Sequence, residues 1–240
     1  MNSLLERAVD AHGGLDRWNQ FTALEAKLSI GGAIWSSKQQ PGLLINVTYE
    51  METHEERLTI DGFSGHDRRL AFVPDKLQLE TIDGKTIEAR DNPRSAFADQ
   101  TAETPWDRLH AGYFASYALW TYLNSPFLYT YPGFITEEIE SWRENGEVWR
   151  RLKITFPETV ASHTREQITH FGPDGLMRRH DYTVDVLGGA TGANYTTNYR
   201  DFQGIKIPTR RRVYAYDAQM KKQPEPVLVS IDIEHVTLKR

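Results

Sequence analysis

The chain has 240 residues and a mass of 27.6 kDa; 39% of the residues are hydrophobic and 11% aromatic, and the mean hydropathy is −0.56. That is too rich in Trp, Tyr and Phe for a disordered chain and too polar for membrane-spanning helices. With 28 Lys and Arg against 33 Asp and Glu, the formal charge of −5 argues against non-specific nucleic-acid binding, and the absence of cysteine excludes disulfides, thiolate metal ligation and a cysteine nucleophile.

Residues 2–12 place Leu4, Leu5, Ala8 and Val9 at helical spacing, and Gly13 and Gly14 close this short amphipathic helix. Charges stand in the opening segment where a secretory leader needs its apolar run, so the expectation is a soluble, cytoplasmic protein. From Thr22 the period changes to two: Leu24, Ala26, Leu28 and Ile30 alternate with Glu25, Lys27 and Ser29, as in a half-buried strand. Further strand patterns occupy 43–53, 56–61, 68–72, 76–82 and 85–89, the last two joined by Asp83 and Gly84, a hairpin signal.

Residues 91–104 lack periodicity and read as a loop. A helix over 105–124 follows, with Pro105 at its start and Trp106, Tyr113, Phe114, Tyr117, Trp120 and Tyr122 along it. So much aromatic surface has to be covered by a sheet or by a ligand. Beyond Gly133 the strand patterns resume. Asn145 and Gly146 suit the two left-handed positions of a type I′ turn, which sets Trp142 opposite Trp149, Glu140 opposite Arg151 and Glu138 opposite Lys153, with Ile139, Leu152, Ile154 and Phe156 on the core face. A second hairpin turns at 172–175, between 166–171 and 176–186; 188–192 reads as a glycine-rich rim loop, 221–226 as another loop, and 195–202, 205–216 and 227–238 as the closing strands. No internal repeat is evident. The fold class is therefore mainly β (α+β): a single domain over 1–240, with one curved antiparallel sheet or half-open barrel of about ten strands wrapped around a central aromatic helix.

Residues 104–127, 175–190 and 208–214, with the opening run from Ala11 to Trp18, resemble a family of uncharacterised bacterial and fungal proteins. At fold level the short helix followed by an antiparallel meander is similar to the lipoprotein-carrier half-barrels called LolA-like. That resemblance implies a curved sheet wrapping helices and holding acyl chains.

Asp107 and His110 stand three apart on the central helix, and His110, Tyr113, Phe114, Tyr117, Trp120 and Thr121 recur on one face. A carboxylate-oriented His in an apolar pocket is a general acid or base; the alternative is a buried aromatic stripe, with Asp107 matching the helix dipole. Arg178, His180 and Tyr182 share a strand face, and the hairpin register sets His180 opposite Gln167 and His170 opposite Met177, on opposite faces unless a bulge intervenes. No metal-ligand spacing occurs, so neither metal nor cofactor is expected. Tyr182, Tyr195, Tyr199, Tyr214 and Tyr216, interleaved with Arg178, Arg200, Arg210 and Arg212, supply apolar walls with polar handles if they face the hollow; otherwise they pack across strands on an exposed face. Arg210, Arg211 and Arg212 alternate between faces on a strand, so they make no basic stripe.

The leading expectation is binding of a hydrophobic small molecule (lipid, terpenoid or polyketide-like) by Trp106, Tyr113, Phe114, Tyr117, Trp120, Arg178, Tyr182, Tyr195 and Arg210. One alternative is a cofactor-independent isomerase, cyclase or hydrolase using His110, His180 and Asp107; another is a structural or interaction domain without a cavity.

Overall fold

The computed structural model describes residues 2–101 and 103–240. Three helices lie in the first forty residues: α1 (Ser3–Ala11), α2 (Leu15–Trp18) and α3 (Ala33–Ser37). A fourth, α4 (Arg108–Asn124), lies mid-chain. Six strands precede it: β1 (Ala23–Gly31), β2 (Val47–Glu52), β3 (Leu58–Asp61), β4 (Arg68–Val73), β5 (Lys76–Thr81) and β6 (Thr86–Asp91). Seven follow: β7 (Ile135–Glu144), β8 (Glu147–Thr155), β9 (Glu166–Phe171), β10 (Met177–Val184), β11 (Ala190–Phe202), β12 (Ile205–Tyr214) and β13 (Val229–Lys239). All belong to one antiparallel sheet, in the order β6-β5-β4-β3-β2-β1-β13-β12-β11-β10-β9-β8-β7.

Each half is a meander of neighbours in sequence, and the halves meet where β1 pairs with β13. The two edges, β6 and β7, are consecutive in the chain, so α4 is the crossing from one edge to the other through the hollow of a curved, unclosed sheet. Strands β1 and β2 show why the curl is stable: Leu24, Ala26, Leu28, Ile30, Val47, Tyr49 and Met51 are buried on one face while Glu25 and Lys27 point away. The edges are polar. β6 presents Thr86, Glu88 and Arg90, and β7 presents Glu137, Glu138, Glu140 and Arg143, which discourages pairing with another chain.

α4 has no polar face. Every residue from Leu109 to Asn124 is buried, so its aromatic side chains point in several directions rather than along one stripe. Asp107 is its N-cap, accepting from the His110 N–H at 2.8 Å. Gly112 is required by the close approach of α4 to the sheet: a Cβ there would sit 2.8 Å from Leu70 Cδ2 and 3.4 Å from Phe63 Cζ.

The sheet has thirteen strands rather than about ten, because every strand pattern read from the sequence pairs into it, the short runs β3 to β6 of four to six residues included. The Asn145–Gly146 turn adopts its expected left-handed conformation, and Trp142 pairs with Trp149. A bulge between Ile139 and Trp142 then moves the register, so Arg151 faces Ile139 and Lys153 faces Glu137, while Glu138 is taken by Arg150 at 2.7 Å. A second bulge between Met177 and Arg179 sets His180 opposite Thr169 and His170 opposite Arg179, keeping the two histidines on opposite faces. The glycine-rich stretch is a loop only to Gly189, since β11 begins at Ala190. The loop over 91–104, of which residue 102 lies outside the described residues, contains a 3-10 turn at Pro93–Phe97.

Replacing Gly112 by Val is expected to lower stability by about 1–3 kcal/mol through overpacking against Leu70. The urea midpoint measures it, and a midpoint equal to the parent's would contradict the tight α4–β4 contact.

Candidate functional site

Between α4 and the inner face of β1 and β10 to β13 lies a cavity of about 60 Å³. Trp35, Phe114, Leu119, Tyr182, Val213 and Ile231 line it, and Ala115 and Ala118 make room for it on the helix. Partly exposed Ile34, Leu187, Leu228 and Val229 form its mouth. Larger depressions of about 370 Å³, beside Arg94, Tyr113 and Asp185, and about 530 Å³, beside His54, Trp120 and Tyr131, are open grooves with charged residues in their walls. The small cavity is the apolar one, with Thr191 the one non-aromatic hydroxyl in its lining.

The inner end of this cavity is polar and aromatic. Tyr122 and Tyr182, both lining residues, share a hydrogen bond between their hydroxyls. The Tyr122 hydroxyl also meets His163 Nε2 at 2.8 Å, and Tyr117 meets His163 Nδ1 at 3.0 Å. His163 stacks on Tyr182 with ring centroids 4.1 Å apart. Burial, helped by the charges of His180 and Arg94, drives the His163 pKa well below its ordinary value, so the ring is neutral at pH 7. A neutral imidazole has one donor and one acceptor nitrogen, which matches two tyrosine hydroxyls.

Next to this group stands Arg211. It is 1% exposed, donates from Nη2 to the Tyr122 carbonyl at 2.7 Å, and lies with Cζ 5.0 Å from the Tyr122 ring centroid. Its Nε and Nη1 meet no acceptor, and neither ring nitrogen of buried His180 has a partner. Burial, with Arg211 adding to it, lowers the His180 pKa to about 3.

The sequence-derived candidates are dispersed. Phe114 and Tyr182 line the cavity, Tyr117 holds His163, Tyr113 borders the 370 Å³ depression and Trp120 the 530 Å³ groove. Trp106 precedes α4 and packs on Phe97 and Phe114. His110 sits at the N-terminus of α4, away from the cavity lining, with Nδ1 2.8 Å from Asp107 and Nε2 3.1 Å from both the Ala96 carbonyl and Gln100. Partial burial pushes the Asp107 carboxyl up, and hydrogen bonds from His110 and Arg90 outweigh this and hold it well below the usual range. Arg178 falls at the β10 bulge, bound to Asp174 at 3.0 Å and Glu147 at 3.1 Å, so it does not join His180 and Tyr182. Arg210 is exposed and paired with Asp232.

Tyr195 belongs to the opposite, convex face. There Arg179 is bound by Asp181 at 2.6 Å, Glu144 at 3.0 Å, the Tyr195 hydroxyl at 3.1 Å and the Met220 carbonyl at 2.7 Å. Burial pushes the Asp181 carboxyl up to about 6 against the pull of Arg179. Tyr214 packs there edge-on against Tyr195.

His163 and Arg211 escaped the sequence reading as site residues. His163 sits in the connection between β8 and β9, where no periodicity assigns a direction. Arg211 was legible: Ile205, Ile207, Thr209, Arg211 and Val213 form one alternating inward set, so one arginine had to enter the core.

Replacing His180 by Phe in the ligand-free protein removes two unpartnered nitrogens and keeps the ring. The unfolded histidine takes its proton near pH 6.5, whereas the folded one resists to about pH 3, so acid stabilises the unfolded state. From pH 6.5 down toward pH 4 the parent should lose about 1.4 kcal/mol per pH unit relative to His180→Phe. Denaturant titrations at several pH values test this; parallel curves would show that His180 titrates normally.

No family model matches the chain, and no curated protein sequence does. Among solved structures it is similar to a LolA superfamily protein from Nitrosomonas europaea, with a TM-score of 0.52 and 10% identity over 99% of this chain and 93% of that one. It is also similar to a candidate outer membrane lipoprotein-sorting protein domain from Vibrio parahaemolyticus, with a TM-score of 0.53 and 8% identity over 98% of this chain and 90% of that one. The curved, unclosed antiparallel sheet thus has the LolA-like half-barrel fold.

Proposed function

We propose that the protein binds a hydrophobic small molecule between α4 and the inner face of the sheet, entering past Ile34, Leu187 and Leu228. The observation that carries this is the apolar cavity lined by Ala115 and Ala118, small residues on a helix otherwise crowded with aromatics. Its volume of about 60 Å³ has room for roughly two water molecules at liquid density. That fits a branch or the end of an apolar chain; a longer ligand widens the space by moving the rim at α3 and 185–192. A fold shared with a protein assigned to lipoprotein sorting supports an apolar cargo. His110 has both ring nitrogens held by protein groups, which favours binding over acid–base chemistry at that residue.

Ala118→Leu fills the cavity. The neutral dye N-phenyl-1-naphthylamine should bind the parent with a fluorescence rise and the variant at least about tenfold more weakly, a loss of about 1.4 kcal/mol. The melting temperature should stay within the few degrees that about 1 kcal/mol produces in a chain of this size. Equal dye binding by both proteins would remove the cavity as the site.

A further inference from the structure

Among the described residues two arginines are fully buried, and they are treated oppositely. Arg179, 0% exposed, has two carboxylates, a tyrosine hydroxyl and a carbonyl as acceptors. Arg211, 1% exposed, has one carbonyl and the face of Tyr122, and after burial the leading charge effects on it come from tyrosines: Tyr199, Tyr122, Tyr129 and Tyr182. Among the described residues no carboxylate pairs with it. A guanidinium cannot shed its proton in a protein, and a buried charge without a counter-charge is strongly destabilising.

The surroundings are also poised for an anion. β10 pairs His180 with Asn194 of β11, and Asn194 pairs with Val213 of β12, two residues from Arg211 on the same inward face. The three polar side chains therefore form a diagonal row across three strands. Arg211 Nε and Nη1 and both His180 ring nitrogens lack a hydrogen bond, and the Asn194 amide, without one of normal geometry, lies beside the Tyr122 hydroxyl. Asn194 is 0% exposed and His180 1%. Nearby His12, likewise buried, has an unpartnered Nε2 and senses the charge of Arg211. The row adjoins the apolar cavity, because Arg211 pairs with Ile231 across β13 and Val213, Ile231 and Tyr122 all line that cavity.

We infer that Arg211, His180 and Asn194 form a buried receptor for an oxyanion, a carboxylate or phosphate group, whose apolar chain occupies the cavity leading to the mouth at Ile34 and Leu187. This deepens the proposed function and rests on it: the ligand is an anionic amphiphile bound head inward. The guanidinium offers an oxyanion the N–H of Nε or of Nη1, each with the second hydrogen of Nη2 beside it, and neutral His180 and the Asn194 amide each offer another.

The test compares laurate with dodecanol, each displacing N-phenyl-1-naphthylamine, and inorganic phosphate alone in a thermal shift. Laurate should bind the parent at least about tenfold more tightly than dodecanol, a difference of about 1.4 kcal/mol. Arg211→Met should erase that preference while leaving dodecanol within about twofold. Where Arg211→Met fails to fold, His180→Phe, which keeps the ring and removes a donor, should reduce the preference severalfold. Stabilisation by phosphate, lost in Arg211→Met, with laurate no better than dodecanol, would support the receptor and assign a free ion as its ligand. Equal binding of laurate and dodecanol without a phosphate effect would overturn the receptor and leave the apolar reading intact. Failure of the dye, laurate and dodecanol to bind, without a phosphate effect, would overturn both.

Discussion

A helix with no polar side has to be surrounded, and that requirement organises the molecule. α4 buries every residue from Leu109 to Asn124, so no flat sheet packed on one side could cover it. Thirteen strands, each adding the right-handed twist of its neighbours, provide a surface that bends around the helix from β4 to β12. The backbone of α4 satisfies its own hydrogen bonds, which is why a helix rather than a loop can make the passage between the sheet edges. The ends are tied where the helix leaves its cover. Asp107 caps the N-terminus and pairs with Arg90 of β6 at 2.6 Å, Arg108 pairs with Glu88, and Trp120 donates to the Glu52 carbonyl at 2.8 Å. The two ion pairs are half exposed and each contributes little, about 0–1 kcal/mol, so they locate the edge strand more than they hold it.

The same enclosure explains the unusual polar content of the core. A helix carrying Tyr113, Tyr117 and Tyr122 brings hydroxyls into the buried interior, and each needs a partner. Tyr117 and Tyr122 find His163, Tyr122 also finds Tyr182, and Tyr129, just beyond the helix, finds Ser125 and Thr169 at 3.0 Å each. The network is nearly closed on itself. Arg211 and His180 stand beside it among the buried polar groups that it leaves without a partner. The convex face offers the contrast: there Glu144 and Asp181 enclose Arg179 and the loop around Met220 folds over the top.

Much of this architecture was legible from periodicity and turn chemistry. Alternation from Leu24 to Ile30 marked a strand with a buried side, Asn145 with Gly146 marked a hairpin, and the run from Trp106 to Tyr122 marked a helix to be covered. Register was less legible, because a bulge leaves no signal in residue type: one extra residue near Glu140 moved Arg151 from Glu140 to Ile139, and another at Arg178 took that residue out of the row it seemed to share with His180. The candidate site suffered for a related reason. Tyr182 and Tyr195 look alike in sequence, yet strand parity sends Tyr182 to the hollow and Tyr195 to the convex face with Arg179. His163 could not be placed at all, since its position depends on how the β8–β9 connection dips toward α4. Arg211 shows the reverse: its parity was readable, and only its lack of a counter-charge required coordinates.

The unpaired edges have a mechanical meaning. In a closed barrel every strand is hydrogen-bonded on both sides, and its diameter is fixed by strand number and stagger. Here β6 and β7 are joined through α4 and not to each other, so the gap between them is a soft coordinate. Small changes of twist, summed over thirteen strands, open or tighten the hollow without breaking a ladder bond. The width of the hollow is therefore set by the elasticity of the sheet, as the jaw of a spring clip is set by its bow.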